Sequence, residues 1–462
     1  MKILQVVHSF LPYTRAGTEV YTHSLSKELS NRNELTVFFR INDRSKTEFL
    51  LIPGFYDGLK TYALNRTFDS CNSFGEVYDN EKIDKVFANV LDEIKPDVVH
   101  IQHLLFLSLG IVREAKKRKI PVVFTINDYW LFCHKGQLLK EDYSICQCVD
   151  INHCRKCLRS QLSLSAHAAY FYNRLRTRLP YPLLQVIKNA YLYFSGKIGL
   201  SPQDKDTMLK DRYARALEVA NSVDIMISPS EFARKVFIAC GVAEDKIIHS
   251  PYGLIRSDKA ISARKPAKAV TFGYLGTVLP MKGIEILLDA FRAIKHLDIR
   301  LLVFGKLHPY VGYEGYSRLI SKQVRQDKRV RLMGEFDNAQ APAVFSQFDC
   351  LVVPSIWPEN APLVIQEAFW AKTPVIASRI GGIPELIRED IDGLLFNPGD
   401  TQDLRAKMES FIEKPEIIER LRKNILPPKG MEEHAVEIEN IYTELIEGSG
   451  VARKIREAEV AG

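Results

Sequence analysis

The densest chemistry in the chain is Pro-Ser-Ile-Trp-Pro-Glu-Asn-Ala-Pro-Leu-Val-Ile-Gln-Glu-Ala, from Pro354 to Ala368. Pro362 suits the first turn of a helix, where its missing N–H is not needed, and Asn360 or Ala361 would then be the cap. The amides of Leu363 and Val364 are left at a positive helix end, where phosphate binds. Glu367 follows Asn360 by seven residues, two turns and about 10 Å along the axis. A carboxylate there can accept two hydrogen bonds from a vicinal diol such as a ribose. Glu359, at the mouth, can engage a second polyol. Two acids bracketing a diphosphate match a nucleoside diphosphate linked to a sugar; the plainer alternative is a capped surface helix.

A second element favours the ligand. Gly-Thr-Val-Leu-Pro-Met-Lys-Gly, from Gly276 to Gly283, lets a phosphate approach backbone at glycine and places Lys282 just before a helix to neutralise it. The alternative for Lys282 is a solvated lysine, which a positive helix end disfavours.

Both segments follow short apolar runs, and such runs alternate with amphipathic stretches in two sets. The first set is Ile3 to Val7, Leu35 to Ile41, Val98 to Ile101, Val122 to Ile126 and Val223 to Ile227. The second is Val270 to Leu275, Ile299 to Phe304, Val330 to Met333, Cys350 to Val353 and Val375 to Ala377. This is the pattern of parallel sheets covered by helices, whose ligands sit beyond the carboxyl ends of the strands. The expected class is α/β: two facing Rossmann-like, doubly wound parallel-sheet domains with a site in the cleft between them. Residues 1–255 form the N-terminal acceptor-side domain, with a Cys-rich, basic insertion at about 130–215. A hinge at 256–267, a nucleotide-sugar domain at 268–425 and a closing helical segment at 426–462 follow.

At 462 residues the chain is long enough for two cores. With 46% apolar and 26% charged residues it is neither disordered nor repetitive. No signal-peptide core and no apolar run of membrane-spanning length stands out, so the expected location is cytoplasmic. The net charge of +7 is local: Ile151 to Gln203 carries eight Lys or Arg and no acid. Without those eight the chain is near −1, which argues against a nucleic-acid partner. The same stretch holds Tyr170, Phe171, Tyr172, Tyr181, Tyr191, Tyr193 and Phe194. It reads either as a helical hairpin or as an interfacial helix that would place the protein peripherally at the inner face of a membrane through about 155–197.

Five of the eight cysteines, Cys133, Cys146, Cys148, Cys154 and Cys157, fall close together, with His134 and His153 beside them. They offer more thiols than a tetrahedral zinc site requires, although the spacing between the pairs is short; the readings are structural zinc or reduced, partly buried thiols with no metal. His8, His100 and His103 fall at strand ends facing the expected cleft, where a histidine is more often structural. Glu385 reads as a helix brace.

The C-terminal half resembles the family 4 retaining glycosyltransferases of the GT-B fold. The matching residues are the Gly276 to Gly283 loop, the Glu359 and Glu367 pair, Thr-Pro-Val-Ile-Ala-Ser from Thr373, Gly-Gly-Ile-Pro-Glu-Leu from Gly381 and Asp-Gly-Leu-Leu-Phe-Asn-Pro-Gly-Asp from Asp392. The N-terminal half agrees more loosely, in His8 to Pro12, Ala-Gly-Thr-Glu from Ala16 and Ile-Ser-Pro-Ser-Glu-Phe from Ile227.

The resemblance implies that Lys282 contacts the donor diphosphate, Glu367 the ribose and Glu359 the transferred sugar. The amides near Leu363 and Val364 would meet the distal phosphate, with Gly276 and Asn360 in the same binding set, and Gly17 would close over the phosphate. Thr277 stands where many relatives carry Arg, and Asn127, in Thr-Ile-Asn-Asp-Tyr-Trp from Thr125, stands where the family usually has His. Asn is not a base. Retaining transfer in this fold can dispense with one, because the departing phosphate can take the acceptor proton. The candidate catalytic residues are therefore Glu359, Asn127 and Asp128. The expected reaction moves a hexose from a nucleotide sugar to a glycan or lipid-linked glycan in surface polysaccharide or glycoconjugate synthesis, with no cofactor in the chemistry. The alternatives are a relative impaired at Asn127 and a nicotinamide dehydrogenase, which lacks its Gly-x-Gly-x-x-Gly turn here.

Overall fold

The structure is a computed structural model of the chain. It describes every residue except 68–70, 72, 141, 147–148, 159–182, 184–185, 188–189, 191–201, 256–268, 308–314, 337–339 and 449–462. The hinge expected at 256–267, Cys148 and most of the basic aromatic stretch lie outside the described residues. Two compact units emerge: Met1–Pro229 with Arg234–Ser250 and Ala435–Gly462, and Ser230–Ala233 with Pro251–His434.

The first unit holds β1 (Lys2–Val7), β2 (Glu34–Ile41), β3 (Leu51–Tyr56), β4 (Leu59–Asn65), β5 (Val98–Ile101), β6 (Val122–Thr125), β7 (Ile225–Ser228) and β8 (Ile247–His249). They form one sheet in the order β3-β4-β2-β1-β5-β6-β7-β8. All pairings are parallel except β3 with β4. β5, β6 and β7 are buried at every position, as strands covered on both faces must be. The periodicity does not predict β3 and β4. β3 carries Pro53 and Gly54, which confine a strand to a sheet edge, and that is where it lies.

The second unit holds β9 (Val270–Leu275), β10 (Ile299–Phe304), β11 (Val330–Gly334), β12 (Cys350–Val353), β13 (Val375–Ser378) and β14 (Gly393–Phe396), all parallel, in the order β11-β10-β9-β12-β13-β14. Successive side chains go to opposite faces. Phe272, Tyr274, Leu301 and Val303 pack into one core, and Leu275, Leu302 and Phe304 into another. Each face therefore buries its own helices, which defines a doubly wound sheet. Truncating Phe272 to Ala would cost about 3–5 kcal/mol.

The helices that bear on function are α1 (Gly17–Ser30), α2 (Ile151–Cys157), α3 (Pro202–Ser222), α4 (Ile284–Ala293), α5 (Leu363–Trp370) and α6 (Met431–Glu447). From Ala435 onward α6 belongs to the first unit. There Glu439 accepts from Arg32 Nε at 3.0 Å and Asn33 Nδ2 at 2.6 Å. Tyr442 Oη meets His100 Nδ1 at 2.5 Å, and His100 Nε2 meets Thr125 Oγ1 at 2.7 Å. His100 is thus a fully buried structural group inside β5 and does not line a ligand site; burial lowers its pKa to about 3. Among the described residues no helix is long and apolar enough to cross a membrane.

Candidate functional site

In the second unit the loops after β9 and β12 are locked together by backbone contact. Gly283, with φ +70°, begins α4, and a Cβ there would lie 1.7 Å from the Pro354 carbonyl oxygen. Ile356 N donates to Met281 O at 2.9 Å, fixing the same approach. On the far side Gly381, φ +60°, lies so close that a Cβ would fall 2.3 Å from Glu359 O. Only glycine tolerates both the dihedral and the distance.

This clamp sets two of the predicted residues side by side. Lys282 Nζ donates to Glu359 Oε1 at 2.5 Å, and Ser355 Oγ donates to the same oxygen at 2.7 Å. The Glu359 side chain is 7% exposed and that of Lys282 28%. The ammonium also stands 5.2 Å from the Trp357 ring centroid, within cation–π range. Ser355 and Trp357 are site residues that spacing alone does not single out, although both flank Glu359 in the motif.

The approach to α5 departs from expectation. Pro362, at φ −63° and ψ 117°, is itself the N-cap, and no side chain caps the helix. Asn360 is instead buried and accepts from Ser230 Oγ at 2.5 Å. Among the described residues no acceptor meets the amides of Leu363 and Val364, so the helix end keeps donors for an anion. Glu367 lies one turn in. Burial pushes its carboxyl up to about 7. No hydrogen bond or ion pair joins its side chain to Lys282 or Glu359. Gly276 is exposed at the end of β9, and Thr277 O accepts from Tyr274 Oη at 2.8 Å. Glu385 braces as expected, its carboxylate accepting from Glu231 N and Phe232 N at 2.7 Å each.

In the first unit the candidates gather beyond β1, β5 and β6. Asn127 Nδ2 donates to Gln102 O at 2.7 Å and to Gln102 Oε1 at 3.2 Å. Asp128 Oδ1 accepts from Trp130 N at 2.7 Å and lies 3.0 Å from His103 Nε2. His103 Nδ1 accepts from Leu105 N, so the ring proton belongs on Nε2, facing Asp128. The His8 and His103 rings stand 4.5 Å apart. Burial first, then the neighbouring Arg40 guanidinium, holds His8 well below the usual imidazole range, so it is neutral. Gly17 opens α1 with nothing within 4 Å of where a Cβ would stand.

Comparison with known proteins decides the family. Residues 256–426 match the model of glycosyl transferases group 1, and residues 15–254 that of glycosyltransferase family 4. The chain belongs to glycosyltransferase family 4. It is similar to an uncharacterized 42.6 kDa protein in the cps region of Klebsiella pneumoniae, 22% identical over 88% of this chain and 96% of that one. D-inositol 3-phosphate glycosyltransferase of Corynebacterium efficiens is 32% identical, but over only 31% of this chain and 34% of its own length. Among solved structures, Anabaena Alr3699/HepE in complex with UDP-glucose aligns with TM-score 0.61 and 16% identity over 97% of this chain and 99% of that one. Sucrose-phosphate synthase from Thermosynechococcus elongatus gives 0.66 and 16% over 97% and 100%. These likenesses fix the fold class as GT-B.

Among the described residues no group of three or more His, Cys, Asp or Glu is arranged to hold a metal ion. Cys133, Cys146, Cys154 and Cys157 are thiols, not disulfides. Burial, followed by the thiols of Cys133, Cys146 and Cys157, pushes Cys154 up to about 12. His153, next to them, is 3.1 Å from Asp150 Oδ2.

Proposed function

We propose that this family 4 glycosyltransferase is a retaining enzyme that moves a hexose from a nucleotide diphosphate to a glycan or lipid-linked glycan in surface polysaccharide or glycoconjugate synthesis. The observation that carries the reading is the Lys282–Glu359 pair at 2.5 Å, beside a helix end whose Leu363 and Val364 amides meet no acceptor among the described residues. A diphosphate offers Lys282 a stronger partner than one carboxylate. As Lys282 turns to it, Glu359 is released to accept from sugar hydroxyls, with Ser355 still orienting its Oε1. Glu367 accepts from the ribose diol. UDP-sugar complexes of structural neighbours and a relative from a cps region favour the donor class and the polysaccharide context.

In the reaction the bond from the anomeric carbon to the phosphate oxygen breaks. The acceptor oxygen bonds to that carbon on the same face, and its proton passes to the departing phosphate. Positive charge grows at the anomeric carbon and negative charge on the diphosphate, where Lys282 and the α5 amides stabilise it. Asn127 and Asp128 orient the acceptor in this scheme and take no proton.

A second reading, a chain that binds donor without transfer, has one observation in its favour: the Asn127 amide donates to Gln102 O and Oε1, which ties up the side chain standing at the family's usual His position. A thermal-shift screen of nucleotide sugars followed by product analysis separates them. The enzyme gives a stabilising donor and a product that keeps the donor's anomeric configuration. Binding without transfer to any acceptor supports the second reading, and an inverted product refutes retention.

A further inference from the structure

One side-chain cluster of the first unit has no part in that reaction. Cys133 closes the turn after β6, its amide donating to Tyr129 O at 2.7 Å. Cys146 follows the Leu139–Ile145 bridge, its amide donating to Leu138 O at 2.7 Å. Cys154 and Cys157 are three residues apart on α2 and so share a helix face. All four line a single cavity of about 40 Å³. That is room for an ion or a water or two, and far below the hundreds of Å³ a nucleotide or sugar needs.

Arg212, on α3, lines the same cavity. The residue is 4% exposed, and its guanidinium donates to the carbonyl oxygens of Trp130 at 2.6 Å and of Leu131 and Phe132 at 3.4 Å each. Its Nε has no partner, and no carboxylate meets it among the described residues. Another buried arginine of this unit, Arg66, has Glu48 Oε1 at 2.8 Å. Carbonyl dipoles and the nearby rings of Trp130 and Tyr78 do not cancel a buried charge. The groups beside Arg212 that can become anionic at modest cost are thiols, and a metal ion is what makes buried thiols ionise.

We propose that Cys133, Cys146, Cys154 and Cys157 take up one soft divalent cation, zinc by preference, with Arg212 as countercharge to the tetrathiolate. Four S–H protons leave to solvent, four S–Zn bonds form and the aquo ion loses its waters, giving a centre of charge −2 that Arg212 brings to −1. Four sulfurs select zinc among common divalent ions. The thiols are not gathered into a preformed centre, so uptake draws the turn, the hairpin and α2 inward. The core there is thin, only Leu158 and Leu209 being buried in it, and a metal would staple it.

The test uses the full chain, stripped by chelator under reducing conditions and titrated with zinc alone. Alkylation with and without zinc, mapped by mass spectrometry, reads each thiol. One zinc per chain is expected, with loss of alkylation at all four cysteines and no change at Cys71, Cys240 and Cys350. No uptake, or protection that omits any of the four, overturns the site. Cobalt(II) in place of zinc should give a thiolate charge-transfer band, and its absence is equally fatal. Cys154→Ser with Cys157→Ser should abolish stoichiometric binding. Arg212→Leu should weaken it by about 10-fold, with Arg212→Lys restoring it; equal affinity in Arg212→Leu removes the countercharge. Because a variant can fail to fold, the protection map of the unaltered chain stands by itself.

Discussion

Beyond β9 and β12 the polar groups are a lysine and a carboxylate bonded to each other, whereas beyond β1, β5 and β6 they are neutral or pinned by hydrogen bonds. Lys282 and Glu359 hold each other at 2.5 Å with one lysine face still open to solvent. A pair of that kind can exchange partners when a phosphate and a polyol arrive, since the new bonds replace the old ones charge for charge. In the first unit His8 is neutral by burial, His103 is fixed between Leu105 N and Asp128, and Asn127 is fixed to Gln102. Groups held that way position a hydroxyl without a change of charge. Under the proposed function, transition-state stabilisation falls to the second unit and orientation to the first.

The largest expected effect tests that division directly. Glu359→Gln keeps the shape and the Ser355 bond, yet should lower kcat by about 10²–10³, the effect of removing one preorganised electrostatic group. Lys282→Ala should do as much, with little change in melting temperature for Glu359→Gln. Steady-state transfer and thermal unfolding, measured together, check this. Full turnover in both variants breaks the comparison at its stronger end.

Glu367 gives the next effect, because desolvation raises its carboxyl to about 7. A raised carboxyl stays protonated below that pH and is a poor double acceptor for a diol. The value of kcat/KM should therefore climb as pH rises through about 7 and level off above it, since that ratio reports the free enzyme. Glu367→Gln should lose the limb and weaken donor binding by about 10–100-fold, the worth of a hydrogen bond to a charged group. A pH profile that keeps its limb in the variant would move the titration to another group.

The gap between Glu359 and Asn360 shows what a one-dimensional reading reaches. Lys282 and Glu359 are legible because each follows an apolar run at the carboxyl end of a parallel strand, where topology must deliver it. Their direct pairing is not, since it depends on Gly283 meeting the Pro354 carbonyl. Asn360 looks like a helix cap by type, but Ser230, 130 residues earlier, takes its oxygen and leaves Pro362 at the cap. His100 resembles a strand-end ligand until α6 returns from the end of the chain to cover it with Tyr442. β3 escapes notice because Pro53 and Gly54 suppress the strand signal that only an edge tolerates. Local chemistry was readable wherever neighbours in sequence decide it, and unreadable wherever a distant segment does.

A smaller effect concerns His100, whose pKa falls from 6.5 unfolded to about 3 folded. Between those values the unfolded chain binds the extra proton, so stability is lost as pH drops below 6.5, by about 1.4 kcal/mol per unit. Thermal unfolding of the parent between pH 6.5 and 5 should show this slope, and His100→Gln should flatten it. An equal slope in both removes His100 as its source.

The smallest effect bears on the first unit's role. Asn127→His supplies the side chain usual in the family, and with it a group able to accept a proton. If the departing phosphate takes the acceptor proton, that capacity is redundant, and the variant gives up the 2.7 Å bond to Gln102 O unless the imidazole reaches it. The expected change in kcat is then less than about 5-fold, within the worth of one ordinary hydrogen bond. A rise of the about 10²-fold or more that a positioned general base contributes would mean that Asn127 holds the parent back. Transfer assays at fixed donor, with acceptor varied, distinguish the outcomes: loss of orientation raises the acceptor KM, whereas recovery of a missing proton acceptor raises kcat alone.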